Sequence, residues 1–135
     1  MKIKPSNNWN HVKLGEISLK IGSGATPRGG KESYKDTGIT LIRSLNVYDF
    51  TFDYDGLAFI DEKQAQQLAN VEVKLNDILL NITGASVARC CIVPSQLLPA
   101  RVNQHVAIIR VNPNLANPFY SNPKSFVRNY RTHSA

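Results

Sequence analysis

Three strand-like apolar runs, each interrupted by a polar string, constrain this chain more than any other feature. They are Leu41-Ile42-Arg43-Ser44-Leu45-Asn46-Val47, Leu80-Asn81-Ile82-Thr83-Gly84-Ala85-Ser86-Val87 and Val102-Asn103-Gln104-His105-Val106. Short apolar runs bounded by turn-forming residues read as strands. Arg43 and Ser44 come straight after such a run, so both fall near a strand end, where loops carry function. Asn81, Thr83 and Ser86 border a tight turn at Gly84 and can equally cap their own backbone. Asn, Gln, Ser, Thr and Arg side chains carry the donors and acceptors that read base edges and phosphates. None of the strings spells a catalytic signature.

Around these runs the chain alternates short strands with turns. A short strand is expected at His11-Val12-Lys13-Leu14, then a helical turn at Gly15-Glu16-Ile17 and a second strand near Leu19 to Ile21. Gly22 to Gly38 is glycine-rich and reads as a loop. Ile39 to Arg43 reads as a strand. Tyr48 to Phe59 alternates aromatic and acidic residues, as an exposed turn or hairpin does. The clearest helix signal covers Asp61 to Asn70. Asp61 suits the N-cap, Gln64 completes a capping box, and Glu62 suits the positive end of the helix. Val71 to Lys74, Asp77 to Ile82, Ala88 to Val93 and Val106 to Val111 are further strand candidates, the middle two joined across Thr83 to Ser86. The expected class is mixed α/β (α+β): a twisted, curved, mostly antiparallel sheet with few helices.

At 135 residues with 42% hydrophobic side chains, the chain is one domain's worth and can bury a core. No apolar run is long enough to span a membrane, and the start, Met1-Lys2-Ile3-Lys4-Pro5, lacks an apolar signal region. Cys90 and Cys91 are adjacent, which offers neither a disulfide framework nor zinc spacing and fits buried thiols in a reducing cytoplasm. The net charge of +6 is uneven. Residues 1–77 balance ten bases against ten acids, whereas residues 78–135 hold Arg89, Arg101, Arg110, Lys124, Arg128 and Arg131 and no acid. One acidic stretch, Asp49, Asp53, Asp55, Asp61 and Glu62, has no base among its acids. A fold that turns this stretch away and gathers Arg28, Lys31, Arg43, Arg89 and Arg101 on one face suits a polyanion.

Two motifs point elsewhere and fall short. Gly24-Ala25-Thr26-Pro27-Arg28-Gly29-Gly30-Lys31 is close to a phosphate-binding P-loop. Gly30 stands where the Lys belongs and Glu32 where the magnesium-binding hydroxyl belongs. As a loop bearing Arg28, Lys31, Tyr34 and Lys35 it fits nucleic acid or plain solvent. Asn117-Pro118-Phe119-Tyr120 resembles an amino-methyltransferase motif but lacks its second Pro. His105 has no evident nucleophile partner, and His11 and His133 lie in unrelated contexts, so no metal cluster or catalytic set is expected.

The order of the blocks resembles the target-recognition domain of a type I restriction–modification specificity subunit. Trp9 with Val12-Lys13-Leu14-Gly15-Glu16-Ile17 resembles its opening. Gly22-Ser23-Gly24-Ala25-Thr26-Pro27 with Tyr34, Gly38 to Val47, Asp77 to Val87 and Asn103-Gln104-His105-Val106-Ala107 continue it, to about Tyr120. Ala88 stands where that family usually has Gly before Arg89.

The resemblance implies a non-enzymatic reader of double-stranded DNA, in which each of two such domains reads half of a split target. Long helices join the two domains and dock methyltransferase subunits, which recruit restriction subunits. S-adenosylmethionine and ATP serve those partners, so no cofactor of its own is expected. The residues expected to meet DNA are Arg28, Lys31, Tyr34, Lys35, Arg43, Ser44, Asn46, Ser86, Arg89, Arg101 and Gln104. Residues 1–120 are expected to form the recognition domain and 121–135 a basic, flexible tail. Ser121-Asn122-Pro123-Lys124 breaks the family's pattern, so the chain reads as a recognition domain cut short before the spacer helix, monomeric when alone. The competing readings are a small nuclease or methyltransferase and a non-functional remnant.

Overall fold

The computed structural model describes residues 18–114. The expected strand at His11 to Leu14, the Asn117-Pro118-Phe119-Tyr120 motif and the basic tail lie outside them. At the centre is β6 (Ile78–Asn81), whose Ile-Leu-Leu-Asn is buried at every position. Such a strand is covered on both faces, which is why its apolar run is continuous rather than alternating. β6 lies antiparallel between β7 (Cys90–Ile92) and β9 (Val106–Val111), and β1 (Ser18–Ser23) flanks β9, for the order β1-β9-β6-β7. A second sheet has the order β5-β2-β8, formed by β5 (Ala58–Ile60), β2 (Ile39–Ile42) and β8 (Ala100–Val102). Here β2 runs antiparallel to β5 but parallel to β8. The stretch from Tyr48 opens with a small hairpin, β3 (Val47–Tyr48) with β4 (Thr51–Phe52).

The helix signal is met by α1 (Glu62–Gln67), and its capping box is formed: the Gln64 N–H donates to Asp61 Oδ1 at 2.8 Å, and the Asp61 N–H to Gln64 Oε1 at 2.8 Å. The helix is shorter than its signal, because a 3-10 turn at Ala69–Val71 takes over. Val71 to Lys74, expected as a strand, is extended only at its middle. The alternation is real, with Val71 and Val73 buried and Glu72 exposed. Pairing is confined to a single bridge from Glu72 to Arg101, and the chain then turns as the Lys74 N–H donates to Asp77 Oδ2.

The fold is therefore mixed α/β with mostly antiparallel sheets and, among the described residues, one α-helix. Alternation along the strands sets the packing. Leu79, Cys91, Val106 and Ile108 look toward the second sheet and join Leu41, Ile42, Ile60, Val71 and Val102 in the main core. Ile78, Leu80, Cys90, Ala107, Ile109 and Val111 form a second buried cluster on the opposite face. Each fully buried Leu or Ile stabilises the chain by about 1.5–3 kcal/mol. Two polar residues share the inner face of β6 with Leu79. Asp77 lies just before the strand and Asn81 at its end, and both are fully buried.

Candidate nucleic-acid interface

Strand direction gathers the polar strings. β2 and β8 are parallel and Ile42 pairs with Val102, so both strands end side by side. β6 runs against β9 with Asn81 opposite Val106, β1 against β9 with Ser23 opposite Ala107, and β7 begins at Cys90 opposite Leu80. The exits of β1, β2, β6 and β8 and the entries to β7 and β9 therefore share one end of the molecule.

Hydrogen bonds tie these loops together. The Asn103 N–H donates to the Ile42 carbonyl at 3.1 Å, joining the third string to the first. The Ile82 N–H donates to the His105 carbonyl at 3.1 Å, and Thr83 Oγ1 lies 2.7 Å from His105 Nδ1, joining the second to the third. The second meets the first through Asn81, whose Nδ2 donates to the Ser44 carbonyl at 3.0 Å and the Val47 carbonyl at 3.3 Å. The same amide reaches Ser86 Oγ at 3.1 Å. Asn81 points inward because it shares the parity of Leu79, and its Oδ1 is buried without a partner among the described residues. The glycine loop joins the group when the Gly24 N–H donates to the Asn103 carbonyl at 3.0 Å. A Cβ at Gly24 would lie 1.9 Å from the Val102 carbonyl oxygen, so only glycine fits this approach. Thr26 Oγ1 donates to Gln104 Oε1, which orients the exposed Gln104 and leaves its amide nitrogen without a partner among the described residues.

Two arginines at this end stack on tyrosines. The Arg43 guanidinium lies 5.3 Å from the Tyr34 ring centroid and donates through Nη2 to the Gly56 carbonyl, while its Nε is buried without a partner among the described residues. The Arg89 guanidinium lies 4.7 Å from the Tyr48 ring centroid. Neither forms an ion pair among the described residues. Cation–π attraction holds each guanidinium over its ring, and among the described residues Arg43 keeps Nη1 uncommitted while Nη2 is engaged. Arg28 and Lys31 are exposed on the glycine loop, Lys31 in a 3-10 turn at Gly30–Ser33.

Three expected site residues are engaged elsewhere. Asn46 is fully buried. Its Oδ1 accepts from the Arg43 N–H at 3.0 Å, and its Nδ2 donates to the carbonyls of Asp53 at 2.9 Å and Asp55 at 3.2 Å. Both ends of the amide are committed, so Asn46 shapes the loop that carries Arg43 and Ser44. Arg101, on β8, donates through Nε to the Ala65 carbonyl at 3.1 Å and through Nη1 to the Ala100 carbonyl at 3.1 Å. It thus satisfies a carbonyl of α1 and stands apart from the gathered loops. Lys35 faces Asp61 at 4.0 Å, with both side chains about half exposed, beside the start of α1.

Three acids of the acidic stretch bond within the fold. Asp49 Oδ1 accepts from the Cys90 N–H at 3.2 Å, Asp53 Oδ1 from the Asp55 N–H at 3.0 Å, and Asp61 caps α1. Thr26 and Tyr48 also belong to this end, although the sequence does not mark them as site residues. The aromatic–acidic alternation around Tyr48 pointed to a hairpin, and nothing local in the sequence marked its stacking on Arg89. The Cys91 thiol is a poor nucleophile, as burial, reinforced by Cys90, pushes it up to about 12.

The architecture is similar to that of a known protein. It superimposes on a crystal structure of the HsdS subunit from Thermoanaerobacter tengcongensis with a TM-score of 0.53 at 14% identity, over 86% of this chain. The chain spans 27% of the length of that subunit. No protein-family model and no curated protein matches the chain. At this identity the likeness is one of fold. No helix among the described residues is long and apolar enough to cross a membrane.

Proposed function

We propose that this chain is a DNA target-recognition domain, reading one half of a bipartite site as the specificity component of a type I restriction–modification complex. The observation that carries the reading is the convergence of the three polar strings at one end of the fold, flanked by two arginines that stack on tyrosines rather than pair with acids. The fold likeness to an HsdS subunit and the order of the sequence blocks support it independently.

In this reading Arg43 and Gln104 reach base edges. Arg43 offers a planar fork suited to guanine, and Gln104 an amide oriented by Thr26. Ser44, Ser86 and Arg89 border them, and Tyr34 holds Arg43 in place. Arg28 and Lys31 act on phosphates, which fix register without reading sequence. Lys35 adds charge at the margin. Asn46 and Arg101 serve by positioning, one holding the Arg43 loop and the other tying β8 to α1. The domain carries out no chemistry itself. Methyltransferase and restriction subunits supply it, in the cytoplasm, and the domain needs no cofactor of its own.

The test is selection of duplexes from a random library by the full chain, followed by binding isotherms across a salt series. The expected result is an enriched short motif, with affinity falling about 0.9 log units per log unit of salt for each phosphate contacted. Absence of enrichment together with salt-independent binding would overturn the reading.

A further inference from the structure

We propose that Phe50, at the tip of the β3–β4 hairpin, is an apolar wedge that inserts at a base step of the bound duplex. The inference rests on the DNA-reading function above and assigns a residue that neither the polar strings nor the charge pattern marks.

Phe50 is 61% exposed, so its ring adds little to the core. Its backbone φ is +64°, a left-handed conformation that a bulky side chain rarely adopts. The chain thus bears both a strained backbone and a solvated aromatic ring at one position, a combination that clusters at functional sites. The tip is pinned rather than loose. The Phe50 N–H donates to the Cys90 carbonyl at 3.0 Å, and the Cys90 N–H donates back to Asp49 Oδ1 at 3.2 Å. These bonds fix the hairpin to the first residue of β7, at the strand-exit end. Asp49 is held toward the protein by the same contact, which keeps its charge engaged there.

The neighbours place the ring beside the proposed DNA face. Tyr48, two residues before Phe50, carries the stacked Arg89, and the Arg89 carbonyl accepts from the Asn81 N–H at 2.9 Å. Phe50 therefore stands exposed on a pinned turn, two residues from the tyrosine that carries a guanidinium able to hold a phosphate. Apolar side chains presented in this way enter between base pairs, partly unstacking them and kinking the duplex. A flexible loop could not do this, because the unstacking cost needs a support that does not yield.

Phe50→Gly separates the wedge from the fold. Glycine takes a φ of +64° without strain, so the variant is expected to melt at the same temperature as the parent or higher. Full-length parent, Phe50→Gly and Phe50→Tyr are titrated with a library-selected duplex carrying 2-aminopurine at successive positions. The parent should raise the fluorescence at one step, which reports unstacking. Phe50→Gly should lose that signal and bind roughly 10- to 100-fold more weakly, with the salt dependence kept, and Phe50→Tyr should retain both signal and affinity. Equal affinity and equal fluorescence for parent and Phe50→Gly would overturn the wedge and leave the DNA reading standing. A parent that binds no duplex would overturn both.

Discussion

The two ends of β6 each place a buried polar side chain on the face that looks into the main core, and the fold answers them in opposite ways. Before the strand, Asp77 meets a charge. Arg110 donates to it through Nε at 2.9 Å and Nη2 at 2.8 Å, and its Nη2 also donates to the Glu72 carbonyl at 3.0 Å. The hydrogen bond to Asp77 raises the Arg110 guanidinium above its ordinary range, against the lowering effect of burial. After the strand, Asn81 is neutral and ties three backbone and hydroxyl groups of neighbouring loops. The arginines near it, Arg43 and Arg89, stack on aromatic rings. A charge answered by a buried carboxylate is spent on the fold. A charge laid on a tyrosine keeps donors for a ligand. All three arginines look alike in sequence, and only their partners separate the roles.

The largest effect should come from the end that is closed by the ion pair. Asp77→Ala leaves Arg110 without its carboxylate and removes the acceptor of the Lys74 N–H. It should destabilise the chain by about 3 kcal/mol, measured by urea unfolding, because breaking one side of a buried pair costs more than the pair contributes. A loss below about 1 kcal/mol would mean that the two ends are not so different.

Alkaline pH probes the core between the ends, where Cys91 lies opposite Leu79. Burial, with a smaller contribution from Cys90, raises this thiol from 9.0 to about 12. The folded state therefore holds the proton more tightly than the unfolded one. Its contribution to stability is complete below about 9.0 and is lost as the pH rises toward about 12. Unfolding free energies followed across that window should decline in the parent and decline less in Cys91→Ala. Identical slopes would place the alkaline sensitivity elsewhere.

The open end should respond in binding rather than in stability. Arg43→Ala and Arg89→Ala should each weaken a selected duplex by about 1–3 kcal/mol, while the lost ring contact, and for Arg43 the bond to the Gly56 carbonyl, should lower the unfolding free energy by only about 1 kcal/mol, well short of Asp77→Ala. Arg89→Lys should not restore the loss, since an ammonium cannot lie flat on Tyr48 as a guanidinium does. Stability losses like that of Asp77→Ala would show these arginines to be structural as well.

The smallest effect concerns Ala88, whose φ is +78°. The family that the chain resembles usually has Gly at this position, and the left-handed backbone gives the physical reason. Ala88→Gly should stabilise the chain by roughly 0.5–1 kcal/mol in thermal unfolding, leaving affinity for a duplex unchanged. A destabilised variant would mean that the Ala88 methyl group makes a contact that outweighs the strain.

Local chemistry accounts for which parts of this structure could be read in advance. The α1 capping box and the β6, β7 and β9 runs depend on residues close in sequence, and they appear where the pattern puts them. No local pattern marks β8 as a strand. It is three residues long and earns its place by parallel pairing with β2, a partner some sixty residues away. The polar strings were visible, but their division of labour was not. Asn46 and Asn81 look as capable of reading a base as Gln104 does, and burial, on a 3-10 turn for Asn46 and at the inward parity of β6 for Asn81, turns both into internal clamps. Arg101 sits in the acid-free half of the chain and still goes to a helix carbonyl, because β8 carries it past α1. Charge counting finds the excess of bases. It cannot tell which bases the fold has already used.

In the function proposed above, the strand-exit end, and not the Asp77–Arg110 end, meets DNA. Amide hydrogen exchange of the full chain, with and without a library-selected duplex, tests it most directly. Added protection is expected in residues 24–31, 43–50, 82–89 and 103–105, with residues 72–77 and 110–112 unchanged. Protection centred on residues 72–77 and 110–112, with the gathered loops unaffected, would contradict it.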